Sequence, residues 1–127
     1  MILLTSVLRA TLRANAESAS RIEGFDPVPA VKFFNPLGAA TWLASELHED
    51  GDTLFGLADL GMGFPELGSF SLCELQALRL PFGLSIERDL SFSTAFALSV
   101  WAETARSTGS LMAAERILAA ARACGGP

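Results

Sequence analysis

Residues 40–60, ATWLASELHEDGDTLFGLADL, decide what kind of fold this chain adopts. Two β-type runs, ATWLASELH (40–48) and TLFGLADL (53–60), flank an Asp-Gly step that suits a tight hairpin turn. The second run carries apolar residues on both faces of a strand, namely Leu54, Phe55, Leu57 and Leu60. Because that pattern is typical of a strand covered on two sides, the stretch predicts a β-hairpin inside a sheet.

Shorter strands are predicted on either side of this hairpin. They are AVKFF (30–34), GSF (68–70) and LSIERDLSF (84–92). In the last of these, alternation predicts one shared apolar face, made of Leu84, Ile86, Leu90 and Phe92. Since hairpin-type connections join neighbouring strands, we expect a small antiparallel or mixed sheet of four to five strands.

A helix is predicted before the strands and another within them. The first begins at Thr5 or Ser6, and its apolar face is predicted from helical spacing to contain Leu4, Val7, Leu8 and Leu12. The second begins at Ser71, where SLCE (71–74) matches a capping box and Pro81 ends the segment.

Two further helices are predicted at the C-terminal end. AFALSVWAETAR (95–106) is expected to be capped by Ser93 or Thr94, and LMAAERILAAARAC (111–124) is alanine-rich and strongly helix-forming. We therefore predict one α+β domain over residues 1–127, in which helices pack on the sheet and a helical pair (94–124) closes the chain.

Composition excludes several classes of protein. Half of the 127 residues are hydrophobic and 18% are charged, which argues against a disordered chain. No apolar run approaches the roughly 18 residues of a membrane span. Two cysteines, Cys73 and Cys124, are too few for a metal site or a disulfide framework. We expect a cytoplasmic protein with reduced thiols, without metal or cofactor, and not associated with a membrane.

Negative charge is concentrated in the middle of the chain. The net charge is −5, and no lysine or arginine occurs between Lys32 and Arg79. That stretch contains seven acidic residues: Glu46, Glu49, Asp50, Asp52, Asp59, Glu66 and Glu74. Phosphate would be repelled and a basic protein surface attracted, so we expect a protein partner and no direct contact with nucleic acid. The alternative is a solvated acidic surface that keeps the protein soluble.

The segment DLGMGFPELGSF (59–70) predicts a tight corner. Its glycines fit neither the phosphate loop nor the dinucleotide fingerprint, and no basic residue lies nearby to meet a phosphate. Glycines supply positive φ and Pro65 fixes a dihedral angle, so the corner is interpreted as architectural.

Arg88 falls on the apolar side of the last predicted strand, where an unpaired charge is costly. We expect a structural ion pair between Arg88 and a carboxylate from the acidic middle, either Asp59 or Glu66. The alternative is that Arg88 extends to an edge of the sheet while its carbon chain stays in the core. Glu87 and Asp89 point to the opposite face, about 6.7 Å apart. They extend the predicted acidic recognition surface, which consists of Glu46, Glu49, Asp50, Asp52, Glu87 and Asp89.

Five strings in this sequence resemble a bacterial family known only as domain of unknown function 2958. They are VKFFNP (31–36), ATWL (40–43), FGLADLG (55–61), PELGSFSLCEL (65–75) and IERDLSF (86–92), and the match covers residues 29–92. The resemblance implies a protein encoded on plasmids and other mobile elements, sometimes near antirestriction genes, with no activity to transfer. Where the family usually shows cysteine, tyrosine and histidine, this chain has Ala58, Ser69 and Ser91.

Three functions are compatible with these features. The first is a non-enzymatic accessory protein that contacts a basic partner, such as an anti-defence inhibitor carried by a mobile element. The second is a small metal-dependent or carboxylate-based hydrolase using Asp59, Glu66 and Glu87. The third is a self-assembling module, a homodimer formed through the heptad-like stripe of the last helix, Leu111, Ala114, Leu118 and Ala121.

Overall fold

A computed structural model describes residues 2–124 of the chain. The elements are α1 (Ser6–Arg21), β1 (Val31–Phe34), β2 (Thr41–Leu47), β3 (Thr53–Asp59), β4 (Glu66–Ser71), α2 (Leu72–Ala77), a 3₁₀ turn (Pro81–Gly83), β5 (Glu87–Arg88), α3 (Leu98–Thr108) and α4 (Leu111–Ala123). The predicted α+β class is confirmed, including the pair of helices near the C-terminal end.

All five strands form one antiparallel sheet in the order β4-β3-β2-β1-β5. The predicted hairpin is β2 and β3, joined by a loop in which the His48 amide donates to the Thr53 carbonyl (2.8 Å) and Gly51 has a φ of 72°. β3 is an interior strand, as its apolar residues on both faces predicted. The hairpin quoted from the sequence therefore forms the interior of the sheet, and the other strands flank it.

Each face of the sheet supports its own hydrophobic core. One core packs α1, α2 and the N-terminal segment onto residues such as Phe33, Trp42 and Leu54. The other packs α3 and α4 onto Leu43 and Leu57. Because adjacent residues in a strand point to opposite faces, Trp42 and Leu43 belong to different cores. The molecule is a three-layer arrangement, with helices on both faces of the sheet.

Three of the four helices begin where the sequence predicted. Thr5 accepts from the Leu8 amide, Ser71 from the Glu74 amide and Ser110 from the Ala113 amide. The predicted start of α3 at Ser93 or Thr94 is wrong, since α3 begins at Leu98. The cap there is supplied by a distant side chain.

The carboxylate of Asp26 caps α3 from the segment that follows α1. One of its oxygens accepts from the Ser99 amide at 3.1 Å, and the other accepts from the Ser99 hydroxyl. Thr94 instead accepts from the Phe96 amide and from the indole N–H of Trp101, both at 3.1 Å. Residues 94–97 are therefore a loop that positions α3.

The predicted strand over residues 84–92 is much shorter in the structure, where only Glu87 and Arg88 form β5. An Asx turn ends it, because the Asp89 carboxylate accepts from the Ser91 amide at 2.9 Å. The expected shared apolar face is also wrong. Ile86 packs in the core beside α1, Phe92 packs in the core beside α3 and α4, and Leu90 is 73% exposed.

The heptad-like stripe of α4 faces inward. Leu111, Ala114 and Leu118 are buried in the core between α4, α3 and the sheet. Side chains that are already packed inside the monomer are not available to a second copy. Three of the four residues of the stripe are therefore unavailable to a second copy, and a homodimer through the C-terminal helices stays a prediction.

Candidate functional site

A groove of about 840 Å³ lies between α1 and the β2–β3 hairpin. The second half of α1 forms one wall, with Arg13, Ala16, Glu17, Ala19 and Ser20. The end of β2 and the hairpin loop form the other, with Glu46, His48, Glu49 and Asp50. We call this feature the acidic groove, because four of these nine side chains are carboxylates.

Polar side chains of α1 hold the two walls together. β1 pairs with β2 only as far as Ala44, so within residues 2–124 no strand covers the side of β2 opposite β3 beyond that residue. The side-chain amide of Asn15 donates to the Ser45 carbonyl (2.9 Å), and the Arg13 guanidinium donates to the Leu47 carbonyl (2.7 Å). Buried carbonyl groups need such partners, so the helix substitutes for the missing strand. The groove lies next to these hydrogen bonds, between the second half of α1 and the hairpin loop.

The hairpin loop is organised by Asp50. Its carboxylate accepts from the amides of Asp52 (2.9 Å) and Thr53 (2.8 Å) and from the Thr53 hydroxyl (2.5 Å). Hydrogen bonds from Thr53, first from its hydroxyl and then from its amide, lower the pKa of Asp50 to about 2. Asp50 is therefore negatively charged at any physiological pH.

The pKa of Glu46 is shifted in the opposite direction, upward. Burial in the wall of the groove raises the pKa of Glu46, and the nearby His48 partly offsets that effect. The ionised form of a partly buried carboxylate is stabilised when a positive group approaches it. A cationic partner in the groove would therefore favour the ionised form of Glu46 and oppose the effect of its burial.

The charge of the groove is not balanced by its own basic residue. Among the described lining residues, Arg13 is the single lysine or arginine, and its guanidinium is engaged by the Leu47 carbonyl. Four carboxylates against one arginine leave the groove negative. Such a surface favours cationic groups by electrostatics alone.

The structure divides the predicted acidic recognition surface. Glu46, Glu49 and Asp50 lie together in the acidic groove. Asp52 does not join them, because its carboxylate accepts from the Ser71 hydroxyl (2.8 Å) and the Cys73 amide (2.7 Å) and so helps to cap α2. The role expected for Asp52 is corrected from recognition to structure.

Glu87 and Asp89 lie at the other end of the sheet. Glu87 pairs with Phe34, and Phe34 pairs with Thr41, which is the first residue of β2. Glu46 lies near the other end of β2, whose last residue is Leu47. Asp89 lies 3.5 Å from the Lys32 ammonium group. These two acids therefore do not extend the groove.

The expected ion pair of Arg88 with Asp59 or Glu66 is also corrected. Arg88 is on β5 and Glu66 on β4, which are the two opposite edges of the sheet, about 19 Å apart at the usual strand spacing. Asp59 is on the other face, where its carboxylate accepts from the amides of Gly61 and Leu111, both at 2.8 Å. Arg88 faces the N-terminal segment and donates to the carbonyls of Ile2 (2.8 Å) and Leu3 (2.9 Å).

The carboxylates of the hydrolase hypothesis are not brought together. Asp59 is buried beside α4, Glu66 is exposed on one edge strand, and Glu87 is on the opposite edge. Within residues 2–124, no group of three or more histidine, cysteine or acidic side chains has the arrangement of a metal site. Ala58, Ser69 and Ser91 are likewise separated, on β3, on β4 and after β5.

The glycine corner between β3 and β4 has the positive φ angles that its glycines predicted. Gly61 and Gly63 both have a φ of 85°, at which a residue with a side chain would be strained. Pro65 is buried. Three large apolar side chains project from this corner into solvent, Leu60, Met62 and Phe64.

Glu17 is a member of the groove that was not predicted. The signal was present, since Arg13, Glu17 and Ser20 are spaced at three and four residues and so share one side of a helix. What the sequence did not show is that this side of α1 lies against the hairpin.

The fold and the groove define a three-layer α+β protein with an open, negatively charged groove on one face of its sheet. Among residues 2–124, no helix is both long and apolar enough to cross a membrane. The chain belongs to the family described as Protein of unknown function (DUF2958), which it matches over residues 3–112. That match includes α1 and the start of α4, so it extends beyond the strings within residues 29–92. No curated protein and no solved structure matches the chain.

Proposed function

We propose that this protein is a non-enzymatic binding module that contacts a basic protein surface through the acidic groove. The observation that carries the proposal is the convergence of Glu17, Glu46, Glu49 and Asp50 around one open groove whose described arginine is already engaged. Charge of one sign in a concave surface raises the rate of encounter with an oppositely charged partner.

An inhibitory role is the finer form of this proposal. Proteins that handle nucleic acids carry basic grooves for phosphate, and an acidic module can occupy such a groove in place of the nucleic acid. Carriage on a mobile element would make a host defence nuclease a natural target. Charge complementarity is the support for this finer form.

The proposal is tested with two variants of equal net charge. Glu46→Gln/Glu49→Gln removes two charges from the acidic groove, and Glu66→Gln/Glu103→Gln removes two from exposed positions outside it. Binding of a fluorescent arginine-rich peptide is measured by anisotropy as a function of salt. We expect about a tenfold loss of affinity for the groove variant and less than about threefold for the control, because contact charges contribute most.

Equal losses in the two variants would show that only the overall charge attracts the peptide, and the groove would then have no special role. A photo-crosslinking residue at Ser20, compared with one at Ser107 on the exposed side of α3, extends the test to protein partners in cells. Adducts that form equally from both positions would contradict docking at the groove.

A further inference from the structure

The two edges of the sheet differ in how much free backbone they present. β5 forms one edge with only two residues, Glu87 and Arg88, and the turn at Asp89 follows directly. β4 forms the other edge with six residues, Glu66–Ser71, and none of them is buried. A long exposed edge strand offers its unpaired backbone groups to another strand. We call the outer side of β4 the open edge, and the proposed function makes no use of it.

β4 lacks the features that usually protect an edge strand. Its register with β3 runs without a shift from the pair Thr53–Ser71 to the pair Ala58–Glu66, so it contains no bulge. Its sequence, ELGSFS, has no lysine and no proline, and its charged residue is Glu66 at the first position. Charged side chains, prolines and bulges are what keep most edge strands from pairing. The open edge is therefore able to accept a further strand.

The direction of the backbone groups in β4 follows from the hydrogen bond that ends the β3–β4 pair. The Leu72 amide donates to the Asp52 carbonyl at 2.9 Å, in the same register as the strand pairs. In an antiparallel pair, every second residue directs its N–H and C=O at the neighbouring strand, and the residues between direct theirs away. The even-numbered residues of β4 thus face β3, and the outward-facing residues are Leu67, Ser69 and Ser71. Within residues 2–124, no strand lies beyond them.

We propose that the open edge pairs with the open edge of a second copy of this chain, antiparallel and about a twofold axis that passes through the sheet beside Ser69. In this register, the Ser69 residues of the two copies bond to each other, and Leu67 of each copy bonds to Ser71 of the other. Every outward-facing N–H and C=O group of β4 is then paired. The two sheets become one continuous antiparallel sheet.

The side chains of β4 favour its own copy as the partner. The register at Ser69 places Phe70 opposite Gly68 of the second copy. A Cβ atom at Gly68 would have nothing within 4 Å, so there is room for the Phe70 ring to cover it, as aromatic side chains do for glycines in edge strands. Glu66 begins β4, so it lies far along the strand from Glu66 of the second copy. Like charges of the two strands are therefore not directly opposite each other.

Exposed apolar side chains lie next to the open edge. Antiparallel pairing brings the glycine corner of one copy beside α2 of the other, because the corner precedes β4 and α2 follows it. Leu60, Met62 and Phe64 in that corner are 57%, 69% and 78% exposed. Their burial adds to the strand pairing, which by itself covers much less than the roughly 800 Å² per partner of a stable complex. We therefore expect a weak dimer that dissociates in the micromolar range.

Amide hydrogen exchange of the unmodified chain, followed by NMR, tests the pairing. We expect exchange at Leu67 and Ser69 to slow about threefold between about 50 µM and about 1 mM protein, because the monomer fraction falls roughly with the square root of concentration. Gly68 and Phe70 are the internal control. Their amides are bonded to β3 in the monomer, so we expect slow exchange at both concentrations. Light scattering on the same samples measures the dimer.

Two charge variants test the second copy and the register together. Ser69→Lys and Ser69→Glu each place like charges against each other at the axis, so either variant alone is expected to weaken the dimer at least fivefold. An equimolar mixture of S69K and S69E is expected to form a heterodimer, because opposite charges then meet. Ser107→Lys, at an exposed position of α3, changes the net charge by the same amount as Ser69→Lys and is the control.

A chain that stays monomeric at about 1 mM would overturn the proposal. A dimer that survives Ser69→Lys would do the same and would place the contact elsewhere, for example at α4. Equal weakening by Ser107→Lys would show that only the overall charge matters. Failure of the mixture to form a heterodimer would contradict the axis at Ser69, once circular dichroism shows both variants folded. The exchange experiment needs no variant, and none of these changes touches the acidic groove, so the two proposals fail independently.

Discussion

Asp59 is a buried carboxylate whose partners are backbone amides. Only 2% of its surface is exposed, and it joins two parts of the chain by accepting from Gly61 in the glycine corner and from Leu111 at the start of α4. The N-terminus of a helix carries partial positive charge and favours an anion. The negative charge is thus accommodated by oriented N–H groups, and Asp59 fastens the helical pair to the end of β3.

Replacing Asp59 by asparagine tests that role. An amide has one acceptor oxygen, so Asp59→Asn leaves one of the two backbone amides without a partner, at a cost of about 1–3 kcal/mol. We expect a loss of that size in the free energy of unfolding, measured by urea denaturation. Glu66→Gln, an exposed change on β4, is expected to stay within about 0.5 kcal/mol. Equal values for the two variants would contradict the assigned role.

The central hairpin depends on a close approach between β2 and β3. The register shifts between Ala44 and Glu46, and Gly56 lies opposite Ala44. A Cβ atom added at Gly56 would lie 1.8 Å from the Leu43 carbonyl oxygen, which is far inside contact distance. Gly68 pairs with Gly56 from the other side, yet nothing lies within 4 Å of a Cβ at that position. The same residue type is therefore essential in one strand and optional in the next.

This pair of glycines gives a matched experiment at the level of the element. Gly56→Ala forces the strands apart and is expected to cost more than about 4 kcal/mol, or to prevent folding altogether, because backbone atoms are not free to move away. Gly68→Ala is expected to change stability by less than about 1 kcal/mol, since it fills open space. Thermal unfolding followed by circular dichroism measures both. A tolerated Gly56→Ala would contradict the close approach.

Across the whole molecule, the N-terminal segment closes the core on the α1 face of the sheet. Leu3 and Leu4 are 1% and 4% exposed, and the carbonyls of Ile2 and Leu3 accept from Arg88. Val7, which helical spacing placed on the buried face, is 76% exposed. The residues just before α1 are thus buried in the core, whereas Val7 in the first turn of α1 faces solvent.

Truncation of Leu3 and Val7 to alanine tests this arrangement. Leu3→Ala removes a fully buried side chain and is expected to lower the free energy of unfolding by about 2–5 kcal/mol. Val7→Ala is expected to be neutral within about 0.5 kcal/mol, because the side chain is exposed and alanine favours a helix. Chemical denaturation of both variants supplies the comparison, and the reverse order of stability would contradict the assigned burial.

Much of the architecture was predictable because its signals are local. The hairpin, the caps at Thr5 and Ser71, and the positive φ values of the glycine corner each depend on residues a few positions apart. The apolar residues on both faces of β3 likewise indicated a covered interior strand. Short-range geometry of this kind is the same wherever the segment lies in the fold.

The sequence by itself determined the α+β class, the central hairpin and the concentration of negative charge around it. Only the tertiary structure decided the partners of the charged groups. Arg88 is bonded to carbonyls 86 and 85 residues away, Asp59 to an amide 52 residues away, and Asp26 to a helix start 73 residues away. The physical reason is that the path of the chain, and not the neighbouring sequence, selects which backbone group meets a buried charge. The acidic groove arises in the same way, from segments that are distant in sequence and adjacent in space.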